Sequence, residues 1–214
     1  MTDQTLDRAK RLATATIGDV LDIHSVNGVV SGLPRRAGNG RAAGYAQTMY
    51  AQVGPLGAFT FEDFAVGNAF DAVVPDAMLV IDLGGAEVST FGGLATLTVT
   101  RRKAAGVVID GGCRDVEEIT AHGLTLASRH VTPRTGKGRL KVVSLGSTVS
   151  CGGVTVRPGD LVVVDDTGTV VIPQEMIETI LSEAEELDKR DISFAEQLKV
   201  DKSFAGAATQ LRHA

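Results

Sequence analysis

The chain contains no tryptophan, and aromatic residues make up only 4% of its 214 positions. Proteins that hold single-stranded nucleic acid stack bases on aromatic rings, so this supply argues against such a surface. Basic residues are also outnumbered, 21 Lys and Arg against 26 Asp and Glu, for a net charge of -5. That balance excludes a broad phosphate-binding face. The short basic clusters Arg101-Arg102-Lys103 and Arg134 to Lys141 read as solvated faces. There are two cysteines, Cys113 and Cys151, isolated and without CxxC spacing. They offer neither a disulfide framework nor a thiolate metal site, and a reducing, cytoplasmic compartment is expected. No apolar run approaches the length of a membrane span. The opening stretch MTDQTLDRAKRLATA is polar and amphipathic, without the apolar core of a signal peptide.

What the chain has in quantity is glycine, 25 residues, within an ordinary globular balance of 43% hydrophobic and 22% charged residues. One well-packed α/β domain over residues 1–214 is expected, with a β-rich C-terminal half and a C-terminal helix. Leu6 to Ala13 suits a short amphipathic helix. Thr16-Ile17-Gly18-Asp19 has capping-box spacing for a helix from Ile17 to His24. Ala42 to Gln52 and the apolar run Ala77 to Asp82 read as strands, with a short helix from Glu62 to Phe70 between them. After Arg139, β-branched runs punctuated by Gly and Pro predict an antiparallel, barrel-like section. Gln174 to about Lys199 has the Glu, Lys and Leu spacing of an amphipathic helix, and Ala205 to Ala214 reads as a polar tail.

The chemistry concentrates between Gly84 and Asp115. Gly84-Gly85 breaks a strand, Ser89 or Thr90 can cap a helix, and that helix runs from Gly92 to about Ala104. Gly92, Gly93, Leu94 and Ala95 would carry the unpaired N–H groups of its first turn, an anion cradle reinforced by the helix dipole. The same glycines also suit a tight strand-to-helix packing that binds nothing. Gly106 to Asp110 reads as a buried strand, with Gly111-Gly112-Cys113 looping over to Arg114-Asp115, which opens a helix through Ala121. Arg114 offers a planar fork for a carboxylate, and Asp115 a hard oxygen ligand for Mg²⁺ or Mn²⁺. Taken alone, the pair reads first as a helix-capping Asp beside a surface Arg. Because one helix and one strand join the two features, both loops come to one sheet edge, where α/β folds place ligands. A metal beside a carboxylate clamp is apparatus for a 2-oxo acid.

The segments GGAEVSTFGG (Gly84 to Gly93), AAGVVIDGGCRD (Ala104 to Asp115) and VRPGDLVVVDDTGTVVIP (Val156 to Pro173) resemble the RraA-like family, as do Ala15 to Leu21 and Ala42 to Thr48 more loosely. That family includes 4-hydroxy-4-methyl-2-oxoglutarate aldolases, oxaloacetate decarboxylases and regulators of ribonuclease activity. The resemblance implies a swivelling α/β/β domain, assembly as trimers or hexamers, and sites between subunits. It implies that the amides of Gly92 to Ala95 and the Arg114 side chain bind pyruvate and that Asp115 holds a divalent cation. A carboxylate from a neighbour's C-terminal helix, best matched by Asp191, would complete the metal shell. One departure stands out: the aldolases carry an Asp, which orients a water for proton transfer, where this chain has Gly93.

Glu87 or a metal-bound water is an available substitute. His24, His122 and His130 have no motif spacing, and Cys113 lacks a His partner; all four read as structural or surface residues. The expected function is a metal-dependent lyase that releases pyruvate from a small 2-oxo acid. The alternatives are a regulator acting by protein contact and an enzyme on another small acid. No methyl-donor site is present, since no GxGxxG follows a strand.

Overall fold

A computed structural model describes residues 3–201 and 203–204. Its elements run α1 (Gln4–Ala9), α2 (Thr14–Ile23), β1 (Val29–Val30), β2 (Arg35–Ala37), β3 (Ala42–Val53), α3 (Val66–Asp71), β4 (Ala77–Asp82), β5 (Ser89–Phe91) and α4 (Gly93–Arg101). They continue with β6 (Gly106–Cys113), α5 (Val116–Ala121), β7 (Leu126–Val131), β8 (Leu140–Leu145), β9 (Val149–Cys151), β10 (Val154–Val156), β11 (Leu161–Val164), β12 (Thr169–Ile172) and, after a 3₁₀ turn, α6 (Ile177–Asp201). The expected tail from Ala205 lies outside the described residues.

The main sheet has ten strands in the order β1-β12-β11-β3-β4-β6-β7-β2, with β5 alongside β6 and β8 alongside β3. β3, β4, β6 and β7 are parallel, and β4 and β6 are buried along their whole length, as the centre of a covered parallel sheet requires. Period-2 alternation sorts their side chains into two cores. Ala77, Leu79, Ile81, Val107 and Ile109 face one way, packing against Val66 and Phe70 of α3, Val99 of α4 and Ile119 of α5. Met78, Val80 and Val108 face the other way, onto Val149, Cys151, Val154 and Val156 of the β9–β10 hairpin. The result is three layers: helices, sheet, hairpin. A third cluster joins Leu6, Ile17, Leu21, Ile180 and Leu181 from α1, α2 and α6 to the inward residues of β11 and β12.

The C-terminal β-strands do not form a barrel of their own. β11 and β8 both pair antiparallel with β3, β11 along Ala42 to Tyr45 and β8 along Met49 to Val53, so they extend the first half's sheet. The helix expected from Ile17 begins at Thr14, and no side chain of its own caps it. The acceptor comes from the far end of the chain: Asp165 takes the Thr14 N–H (2.9 Å) and hydroxyl (2.6 Å). A capping box is a local signal, and this cap is not local. β6 runs through Gly111-Gly112-Cys113, expected as a loop. The glycines serve close approach there, since a Cβ on Gly112 would lie 2.7 Å from the Val88 carbonyl, at the entry to β5.

Two buried aspartates tie the layers together, Asp82 at the end of β4 and Asp110 within β6. Asp82 accepts the Gly84 N–H (2.8 Å) and the Ser150 N–H (3.0 Å). Asp110 accepts the Gly152 N–H (2.7 Å) and pairs with the Arg129 guanidinium at 2.6 Å.

Candidate functional site

β5 lies parallel to the end of β6, with Phe91 opposite Cys113, and the Arg114 N–H donates to the Phe91 carbonyl (2.9 Å). This one register brings the start of α4 against the Arg114-Asp115 turn. Ser89 and Thr90, expected as caps, are strand residues; the N-cap of α4 is Gly92, which has no side chain to offer. A neighbouring loop supplies the acceptor. Asp115 sits in the left-handed region (φ 55°), which Asp tolerates better than most residues. By position it is the N-cap of α5, yet its side chain makes no bond to that helix. Its Oδ2 instead accepts the Gly93 N–H of α4 (3.1 Å) and lies 3.3 Å from Arg114 Nε.

Gly92 is required by this fit. Its backbone is extended, so no strain is involved, but a Cβ there would fall 3.1 Å from Arg114 Cγ and well inside contact with Asp115 Oδ2. Gly93 is crowded by a different group: its Cβ would fall 2.7 Å from Glu118 Cδ and closer still to Oε2. The Gly93 amide is engaged by Asp115, so the cradle expected from four residues presents Leu94 and Ala95 as its first-turn donors.

These residues open onto a cavity of about 400 Å³. Gly92, Gly93, Leu94, Ala95, Arg114 and Asp115 all line it. Phe64, Val66 and Phe70 form an apolar wall, with Phe70 edge-on to Phe91 at 5.5 Å, and Lys137 adds a second cation. Among the lining residues not singled out in the sequence as site residues are the polar Thr90, Glu118 and Lys137. Thr90 is 5% exposed and its hydroxyl has no hydrogen-bond partner among the described residues. A buried hydroxyl without a partner is costly, and here it borders a cavity beside a helix N-terminus and an arginine.

The remaining candidates lie elsewhere. Glu87 is exposed and does not line the cavity. Asp191 is on α6, which contributes no residue to this cavity within one chain. His24 meets Glu183 at 2.9 Å between α2 and α6, and His130 meets the Gly85 carbonyl at 3.0 Å. His122 ends α5. Cys113 is fully buried, 3.3 Å from the Ser128 hydroxyl; burial pushes its thiol pKa up, which the Ser128 contact only partly offsets, so it is an inert packed residue.

Among the described residues no three His, Cys, Asp or Glu side chains converge as a metal site. The cavity itself offers two carboxylates, Asp115 and Glu118, and no soft ligand. An all-oxygen, incomplete donor set fits Mg²⁺ or Mn²⁺, cations that keep several waters, and does not fit a closed zinc site. No described helix is long and apolar enough to cross a membrane.

Fold and site together define a three-layer α/β domain with a small, mixed-charge cavity at the ends of its parallel strands. The family model RraA-like (Aldolase/RraA) matches residues 14–171, and the chain belongs to that family. An uncharacterized protein of Methanocaldococcus jannaschii is 35% identical over 119 residues, 56% of this chain and 57% of that protein. The chain thus matches little more than half of that relative's length. A Halalkalibacterium halodurans protein with the provisional name 4-hydroxy-4-methyl-2-oxoglutarate aldolase is 29% identical over 187 residues, 85% of this chain and 82% of that one. Among solved structures, Streptomyces coelicolor RraAS2, described as an unusual member of the RNase ES inhibitor RraA family, superposes with a TM-score of 0.78 at 24% identity, covering 92% of this chain and 97% of that one. At that identity the likeness speaks for the fold.

Proposed function

We propose that this protein is a divalent-metal-dependent lyase that cleaves a carbon–carbon bond of a small 2-oxo acid to give pyruvate, from a 4-hydroxy-4-methyl-2-oxoglutarate-type substrate or from oxaloacetate. The observation that carries the reading is one cavity in which an α-helix N-terminus, an unpartnered Thr90 hydroxyl, Arg114 and Asp115 converge. The name of the Halalkalibacterium relative supports it. Asp115 would hold the cation, with water and the Asp191 carboxylate of a neighbouring subunit in a trimer or hexamer filling its shell. A cation bound there supplies Lewis acidity to the 2-oxo group. Arg114 binds the substrate carboxylate with its planar fork, the Leu94 and Ala95 amides and Thr90 hydroxyl donate to its oxygens, and the Phe64–Phe70 wall keeps water from the breaking bond.

The test is pyruvate release from both substrates with added Mg²⁺ or Mn²⁺. The purified protein is expected to exceed free metal, with Arg114→Ala lowering kcat/KM by about 10²-fold or more. No release above free metal, with Arg114→Ala indistinguishable from the native protein, would refute the proposal. A second reading, regulation by protein contact, is favoured by Leu94, which is 85% exposed at the cavity mouth. Pull-down from extract with Leu94→Asp as control discriminates it, since a regulator would recover a partner that the substitution releases.

A further inference from the structure

The long helix α6 is buried against the body of the protein only along its first half. Ile180, Leu181 and Ala184 are fully buried, but past Ala184 the one buried side chain among the described residues of the helix is Phe194. Phe204 lies over it, the two rings edge-on at 5.1 Å. Residues ten apart on one continuous helix would be separated by about 15 Å. The chain has therefore turned back on α6 by Phe204, after the helix ends at Asp201. Glu183, Leu187, Arg190 and Phe194 recur at spacings of three and four, so they share one face of α6. The first three, with Glu186 and with Val20 and Ile23 of α2, line an open groove of about 400 Å³ between the two helices. Ile23 is 71% exposed there. The rim carries two carboxylates, Glu183 and Glu186, against one cation, Arg190.

We propose that this groove is a docking site for residues 205–214 of the same chain, with Leu211 seated between Ile23 and Leu187. The course of the chain carries the assignment. Phe204 is already held on the groove face of α6, at Phe194, one turn beyond Arg190. From Phe194 back to Leu187 is seven residues of helix, about 10 Å. From Phe204 on to Leu211 is also seven residues, which reach up to about 23 Å when extended, so Leu211 covers the distance without strain. The chemistry agrees with the reach. Leu211 is the one large apolar residue between 205 and 214, and the segment has no Asp or Glu. Arg212 follows Leu211 and meets a rim with an excess of carboxylate. Glu183 and Glu186 each hold one partner, His24 at 2.9 Å and Lys189 at 2.6 Å, and a carboxylate accepts several bonds. Seating Leu211 takes the exposed Ile23 side chain out of water and ties α6 to α2. The groove shares no residue with the cavity at Arg114-Asp115, so the inference stands apart from the lyase reading.

The experiment places a reporter thiol in the groove with Ile23→Cys, since the native Cys113 and Cys151 are both buried. Its reaction with a thiol-specific dye is timed in three backgrounds: otherwise native, Leu211→Asp, and deletion of residues 205–214. The otherwise native chain is expected to react about tenfold or more slowly than the other two, as a groove open a tenth of the time or less would. With Ile23 retained, Leu211→Asp and the deletion are each expected to lower the melting point by about 2–4 °C or more. A short bis-maleimide added to the Ile23→Cys/Leu211→Cys protein is expected to join the two thiols within one chain, which then runs as a monomer on a denaturing gel. Equal dye reactivity in all three backgrounds overturns the inference. Slow reaction that neither alteration relieves assigns the cover to some other group and overturns it as well. A bis-maleimide product that joins two chains gives the groove to the segment of a second copy and overturns docking within the chain.

Discussion

Replacing Gly92 by alanine tests the geometry on which the candidate site depends. The added methyl lies 3.1 Å from Arg114 Cγ and well inside contact with Asp115 Oδ2, so the carboxylate must retreat by about 1 Å to reach ordinary van der Waals separation. That movement stretches the 3.1 Å bond from the Gly93 N–H past hydrogen-bond range. A hydrogen bond to a charged group contributes about 1.5–3 kcal/mol when sheltered. The Asp115 side chain is 36% exposed, so a loss below that range, about 1 kcal/mol, is expected. For a chain of this length that corresponds to a melting point lower by about 2–4 °C. Displacing the carboxylate also weakens cation binding, by about tenfold or more if Asp115 is the protein ligand. Thermal melting and Mn²⁺ titration followed by the spin-resonance signal of free Mn²⁺ measure the two effects. Gly67→Ala is the control: it lies in α3 with open space around it, so it should leave both quantities unchanged or raise the melting point slightly. A Gly92→Ala protein that melts and binds Mn²⁺ like the native one would refute the placement of Asp115 over the start of α4.

Thr90→Val removes a buried hydroxyl that has no partner, so the free protein should be as stable or more stable by about 1 kcal/mol, while pyruvate-dependent thermal protection in Mn²⁺ should fall; lower stability with unchanged protection would contradict the assignment of that hydroxyl to a ligand. Asp165→Asn should cost about 1–3 kcal/mol at neutral pH. Burial alone would raise the Asp165 pKa, but hydrogen bonds from the Thr14 hydroxyl and from the Thr14, Thr167 and Gly168 amides outweigh it, and the net shift is downward. A carboxyl depressed by folding adds stability that is complete above its unfolded pKa of about 3.9 and is lost as pH falls through the folded value. Urea unfolding should therefore show the Asn penalty shrinking from pH 7 towards pH 3, and a penalty constant across that range would refute the ion's role as the cap of α2.

The parts of this fold legible in the sequence are those set by local pattern. Ala77 to Asp82 matches its strand because a fully apolar hexamer reads as buried on both faces. Gln174 to Lys199 was legible from its amphipathic spacing, within a few residues of the observed helix. What depends on distant partners was not legible. Asp165 lies in a turn motif, and nothing local marks it as the cap of a helix some 150 residues earlier. Gly111-Gly112 resembles a loop until β5 is seen to need the room. In the site, Gly92, Arg114 and Asp115 could be grouped because one helix and one strand separate them. Glu118 and Thr90 were passed over as site residues for a related reason: a glutamate in a first helical turn and a threonine ahead of a helix start have ordinary local explanations. Only the Cβ that residue 93 does not have, and the hydrogen bond that Thr90 does not make, single them out.

The two buried aspartates of β4 and β6 have a consequence for how the molecule comes apart. A two-stranded ribbon is marginal by itself in water, and β9–β10 pairs only with itself. Yet the Ser150 and Gly152 amides are pinned to Asp82 and Asp110, on strands buried at the heart of the sheet. The ribbon therefore cannot lift away as a flap without leaving two carboxylates in the interior without those donors, and its opening is coupled to that of the central strands. β6 carries this coupling to the cavity, for Asp110 at the hairpin and Arg114-Asp115 at the site lie on one continuous stretch of chain. The outermost layer and the candidate site thus share a mechanical origin in a single strand.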